Sequence, residues 1–466
     1  MKLIIRNGKI LHGSPVEEFV GDIAIFDGII QDIGVIKANA NDKIIDAAGK
    51  LVLPGLVDLH THFVSRASAG FLMLIASGVT TALDALVGSG KIAQEYIYNQ
   101  KVGLNGSCMY VLKPGLTIGD NNPSYDELNK VFDQALDEGV FGIKIVGAHY
   151  PLTVEANSRA IKLAAQRNIP LMIHAGSVEN RDDLNGMKEV IKAAEGNPFI
   201  LAHVNVYCNG NVKGNEQAEA IEAIELLNLH PEIISESTLS PLSCMGTKMK
   251  NNVPESLCMI DILQKLGFQP TYTGLKEAIA QEKVLVSGPI GDVFDFLDKD
   301  KGLARCLELN GAVTIGYQAH DKIKNLMIAA AKRKNKQFTV NAFSTDGGIV
   351  PRNVTLEEGL KAVELGIFSM AEFVEKASTA GAKILGLNRK GVISPGFDAD
   401  IIIVDPVTKK SQTVISNGNI VYDNGIYFST ENKVFYRRGN TTFIQWKVKT
   451  NYYINIYFEA LNESIN

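Results

Sequence analysis

A few short stretches of the chain end an apolar run with a side chain that could bind metal or carry a proton. "GLVDLHTHF" (55–63) ends in His60 and His62, "FGIKIVGAHYP" holds Lys144, "IPLMIHAG" holds His174, "PFILAHVN" holds His203 and "AFSTDGG" holds Asp346. In a strand alternate side chains share a face, so Asp58, His60 and His62 are expected on one face and Thr61 on the other. Two imidazoles placed like this can grip a divalent cation, or they can be loop polarity. From Lys144 to His174 is 30 residues and from there to His203 is 29, about one strand-helix unit each, which would stand them side by side on a common rim. A lysine inside "FGIKIVGA" must be desolvated, which costs several kcal/mol unless it is paired, neutral or reaching an open end. Either its amine snorkels to water, or its nitrogen is carboxylated, which turns a cation into a carboxylate able to bridge two metals. Asp346, before Gly347 and Gly348, reads as a turn residue or as a ligand and proton carrier opposite four histidines.

The elements around these residues predict how they are positioned. From about 55 to 390, short apolar runs alternate with amphipathic helical stretches such as "SYDELNKVFDQALDEG", "TVEANSRAIKLAAQRN" and "NEQAEAIEAIELLNL". Eight runs with crossover helices predict an α/β fold, a (β/α)8 TIM-like barrel, with an open doubly wound sheet as the alternative. In such a barrel the active site lies at the C-terminal strand ends, where these residues fall. Residues 1–54 and 391–430 are short strands with Gly and Asp turns, which predicts a small β-sandwich domain built from both termini. Residues 240–335 exceed one crossover and predict an insertion over the barrel mouth. Residues 431–466 are rich in Tyr, Asn and Phe, hold the single Trp, and fit neither pattern.

Bulk properties exclude several partners. At 466 residues, 46% hydrophobic and 21% charged, the composition is that of a globular protein. A net charge of −5 gives no electrostatic case for nucleic acid or an anionic membrane. Five cysteines without CxxC spacing fit a reducing compartment. The start shows no signal-peptide core and no run is long enough to span a bilayer, so a cytoplasmic location is expected.

Together, "GLVDLHTHF", the single histidines after runs five and six, "STDGG" and "KGVISPGFDADIIIVDP" resemble the amidohydrolase superfamily of metal-dependent hydrolases, over roughly residues 1–425. The likeness is greatest to the binuclear group of dihydroorotases, hydantoinases and isoaspartyl dipeptidases, and to the N-acyl-D-amino-acid deacylases. That resemblance implies His60, His62 and Asp346 on a more buried metal, His174 and His203 on a more exposed one, and Lys144 bridging them as a CO2-derived carbamate. Two divalent ions are implied, zinc by default for such N and O ligands. The implied reaction is cleavage of a C–N amide bond in a small cyclic amide, N-acyl amino acid or dipeptide-like substrate. A metal-bridging hydroxide would attack, with Asp346 as proton shuttle. Homo-oligomers are also common in the superfamily.

Further candidates for substrate contact are His149 and Tyr150 after run four, Asn205 in "AHVNVY", and Arg352, whose planar fork suits a carboxylate. His320 is expected in the insertion, and His12 and His230 at the surface. The deacylases use a cysteine ligand for which Cys108 is the one candidate here. A mononuclear deaminase is the enzymatic alternative, although Glu179 in "HAGSVEN" stands at the wrong interval for the deaminase HxxE motif. A catalytically silent scaffold resembling the dihydropyrimidinase-related proteins is the non-enzymatic alternative; all six ligand positions are nevertheless filled.

Overall fold

The computed structural model describes residues 1–64, 68–147, 149–319, 321–438 and 441–445; His320 lies outside them. Barrel strands one to seven are Leu56–His62, Val79–Val87, Asn105–Val111, Gly142–Val146, Leu171–His174, Ile200–Leu201 and Ile234–Ser237, each paired in parallel with the next. Strand eight comes in two pieces. Ala342–Phe343 pairs with strand seven, and Gly347–Gly348 pairs with strand one, so the ring closes. Asp346 N–H donates to His60 O at 2.9 Å, and Ile349 N–H to His62 O at 3.1 Å. Gly348 takes a φ of +86°, and a Cβ there would stand 2.7 Å from the His62 carbonyl, so only glycine lets strand eight approach this closely.

Three crossover helices form where the periodicity predicts them, and each of these three begins at a side-chain cap. Ser124 caps Tyr125–Asp137, Thr153 caps Val154–Gln166, and Asn215 caps Glu216–Leu229. Inside the ring, Val57, Leu59, Leu83, Met109, Phe141 and Met172 form one core. Phe435 joins it from the tail, as strand Lys433–Arg438 runs parallel to the start of strand three. Part of the segment without a readable pattern is therefore built into the barrel.

Both termini contribute to one nine-stranded mixed sheet. It curls over an isoleucine-rich core including Ile5, Ile10, Ile23, Ile25, Ile401 and Ile403. Ile30 N–H donates to Phe397 O and Ala399 N–H to Gly28 O, which brings its two contributors together. Between strands seven and eight, a four-stranded antiparallel sheet is ordered Leu242–Gly246, Thr314–Gln318, Leu285–Ile290, Val293–Phe296. With helices Leu257–Lys265, Tyr272–Ala280 and Lys299–Glu308 it encloses its own core around Leu263, Leu275, Ile279 and Ile315. Among the described residues no helix is long and apolar enough to cross a membrane.

Candidate metal centre

At the C-terminal strand ends opens a cavity of about 830 Å³, lined by His60, His62, Lys144, His174, His203 and Asp346. The ligand atoms of His60, His62 and Asp346 lie within 4.8 Å of one another. Asp346 Oδ1 is 2.9 Å from His62 Nε2 and 3.6 Å from His60 Nε2. Lys144 Nζ, buried, lies 3.4 Å from His60 Nε2. The His203 ring stacks at 5.0 Å on His60 and meets His174 edge-on at 4.5 Å. Six residues spread from 60 to 346 thus converge on one space.

Local backbone aims them. The register between strands one and two shifts between Asp58 and Thr61, the mark of a bulge, and bulges redirect side chains. Strict alternation would have put Asp58 beside the two histidines. Instead its carboxylate accepts from Thr345 N–H and Oγ1 and from His60 N–H, tying strand one to strand eight outside the cavity. His203 (φ 29°) and Asp346 (φ 48°) both adopt left-handed backbone, which non-glycine residues take mainly where the fold compels it.

Electrostatics suit a cation. Burial drives the His60 and His203 imidazoles well below their ordinary value, leaving them neutral, the form that ligates metal. Burial pulls Lys144 down to about 8 against the pull of Glu236 and Asp346. Burial works to raise Asp346, but the Arg352 guanidinium and the His62 hydrogen bond outweigh it and hold the carboxyl well below its usual range. His174 Nε2 and His203 Nδ1 are buried with no hydrogen-bond partner among the described residues. Both nitrogens stand beside the three-ligand cluster, His174 Nε2 with Asp182 Oδ2 3.6 Å away, and imidazoles placed like this fit a bound metal.

The softer candidates are placed unequally. His149 and Tyr150 form the turn after strand four and line the cavity mouth. Burial pushes the Tyr150 hydroxyl up to about 12, so it stays a donor. Arg352 lines the cavity, but its Nε and one terminal nitrogen bind Asp346 O and Oδ2, each at 2.5 Å. Asn205 does not reach the cavity lining: it is fully buried and its Oδ1 accepts Thr238 N–H, holding the exit of strand seven. Cys108 is buried in the layer outside the ring, and Glu179 is exposed; neither lines the cavity.

Two acids were not foreseen. Glu236 on strand seven is fully buried and accepts from His60 Nδ1 at 2.8 Å. Asp182 Oδ2 stands 3.6 Å from His174 Nε2. Glu236 carried the same signal as Lys144, a charge inside an apolar run, "PEIISEST". The insertion supplies the outer wall, with Ser243, Cys244, Met245, Cys258, Ile262 and Tyr317 facing the cavity.

Comparison with known proteins is decisive about family. The amidohydrolase family model matches residues 51–203 and 296–425. The chain belongs to the amidohydrolase family. Like its relatives, it is a metal-dependent hydrolase acting on carbon–nitrogen bonds other than peptide bonds. Between its two matched stretches, residues 204–295 hold strand seven and most of the insertion. Among its relatives, a dihydroorotase of Geobacter metallireducens is 23% identical over 96% of both chains. A D-hydantoinase of Geobacillus stearothermophilus is 23% identical over 88% of this chain and 85% of its own. Of solved structures, a D-aminoacylase superposes with a TM-score of 0.64 at 17% identity, covering 93% of this amidohydrolase and 99% of that chain. A D-hydantoinase superposes at 0.62 with 19% identity, covering 94% and 100%.

Proposed function

We propose that this amidohydrolase cleaves the C–N amide bond of a small cyclic amide, N-acyl amino acid or dipeptide-like substrate. The observation that carries this reading is the convergence of His60, His62 and Asp346 with the buried imidazoles of His174 and His203 around Lys144. His60, His62 and Asp346 would hold one divalent ion, and His174 and His203 a second. Zinc suits these N and O donors. When bound, such ions polarise a carbonyl and draw the pKa of water from about 15.7 towards 7. Lys144 would join the two sides as a carbamate. Its lowered pKa keeps more of the amine neutral, and only the neutral amine adds to CO2, releasing one proton as the N–C bond forms.

The chain's own groups then manage protons and orientation. Asp346 is ionised, with Oδ1 turned to the histidines and Oδ2 fixed by Arg352, so Oδ1 can accept a proton from the attacking water and return it to the departing nitrogen. Tyr150 and His149 at the mouth can donate to the substrate carbonyl oxygen as it gains charge. With two of its nitrogens on Asp346, Arg352 keeps Nη1 for a substrate carboxylate. The relatives named above act on cyclic and N-acyl amides, which supports this substrate range. A screen of N-acyl amino acids, isoaspartyl dipeptides, dihydroorotate, hydantoins and lactams on zinc-replete enzyme tests it. At least one class should be hydrolysed by wild type and not by Asp346→Asn. Hydrolysis of none, with deamination of an amino-purine or pyrimidine instead, would reject it.

A further inference from the structure

We infer that Glu236 is a positioning residue of this centre, which locks the His60 ring with its proton on Nδ1 and so presents the Nε2 lone pair to a cation. The inference rests on the metal-centre reading above. Glu236 lies on strand seven (Ile234–Ser237), fully buried and outside the cavity lining. Its Oε1 is 2.8 Å from His60 Nδ1 and 2.7 Å from His203 N, and its Oε2 accepts from Ser344 Oγ. A backbone N–H can only donate, so the His203 amide makes Oε1 the accepting oxygen of Glu236, and the ring nitrogen that shares this oxygen is the donor. In a neutral ring with Nδ1 protonated, Nε2 bears the lone pair, and Nε2 is the atom turned towards Lys144 Nζ and Asp346 Oδ1. The same carboxylate oxygen holds the amide of His203, whose φ of 29° sets how strand six delivers its imidazole. One side chain thus fixes a ligand from each side of the centre. Outer partners of this kind orient ligating histidines and typically change metal affinity by about 10- to 100-fold when removed.

The test uses full-length, metal-free protein. Zinc affinity is measured by competition with a chelator for wild type, Glu236→Gln, Glu236→Met and Glu236→Asp, with thermal unfolding followed in parallel. Imidazole 15N spectra of histidine-labelled protein report which nitrogen of His60 bears the proton. Wild type should show Nδ1 protonated. Glu236→Gln, whose carbonyl oxygen still accepts from both donors, should keep that tautomer and bind zinc within several-fold of wild type. Glu236→Met, of similar length with no acceptor, should lose the tautomer preference and bind zinc about 10- to 100-fold more weakly. Should the Met variant not fold, Glu236→Asp, which withdraws the acceptor by one methylene, should show the same loss. Unchanged tautomer and zinc affinity in folded Met or Asp variants would overturn the inference and leave the metal-centre reading standing. Wild type that takes up no zinc would overturn both.

Discussion

Among the buried lysines, Lys144 and Lys376 have surroundings that could hardly differ more. Lys144, on strand four, faces His60 Nε2 at 3.4 Å within the cavity, near the charges of Glu236 and Asp346. Lys376, in the π-helical turn Glu375–Thr379, donates to Val340 O at 2.5 Å and lies 4.4 and 4.9 Å from the ring centres of Phe338 and Phe343. Burial lowers both, to about 8 and about 7. A depressed, buried amine therefore marks no site by itself. What separates them is the company: Lys376 meets a carbonyl and two π-faces that satisfy it where it is, whereas Lys144 meets imidazoles and carboxylates that share an open cavity with it.

Variants on the Lys144 side should do most harm. Asp346→Asn removes the proton acceptor and should lower turnover by about 10²- to 10⁴-fold, read as kcat on whichever substrate the screen identifies. Arg352→Met releases Asp346 Oδ2 and should lower kcat/KM by about 10- to 100-fold, consistent with about 1.5–3 kcal/mol for a bond between charged groups. On the other side, Lys376→Met should leave kcat within about twofold of wild type and change how stability depends on pH. The unfolded chain holds the Lys376 proton up to about pH 10.5 and the folded chain only to about 7. The unfolded state therefore binds more protons across that window, and stability from this group rises with pH, by up to about 1.4 kcal/mol per pH unit. Chemical denaturation between pH 7 and 10 should show that slope in wild type and a flatter one in Lys376→Met. Arg181→Ala breaks an exposed ion pair with Asp261 between the barrel rim and the insertion, and should move stability by no more than about 1 kcal/mol.

Much of the candidate site was legible because each residue that meets in the cavity ends an apolar run, and parallel barrels bring strand ends together. The helices were legible from their period and caps. Asp58 was misplaced because a bulge breaks the alternation on which its face was read. Asn205 follows His203 closely in sequence, yet its partner, the Thr238 amide, is a neighbour only once strands six and seven pair. Glu236 stands in an apolar run as Lys144 does, but its partner, the His60 ring, is a neighbour only once the barrel closes. The tail shows the limit of patterning: Phe435 matters through packing against Phe141 inside the ring, 6.0 Å between ring centres, and no local period announces that contact.

The central claim is a pair of metal ions held across Lys144. Elemental analysis of zinc-replete wild type and Lys144→Ala, with hydrolysis measured on the same samples, tests it most directly. The account predicts about two zinc ions in wild type, and in the variant the loss of at least one together with activity. Full metal and full activity in Lys144→Ala would contradict it.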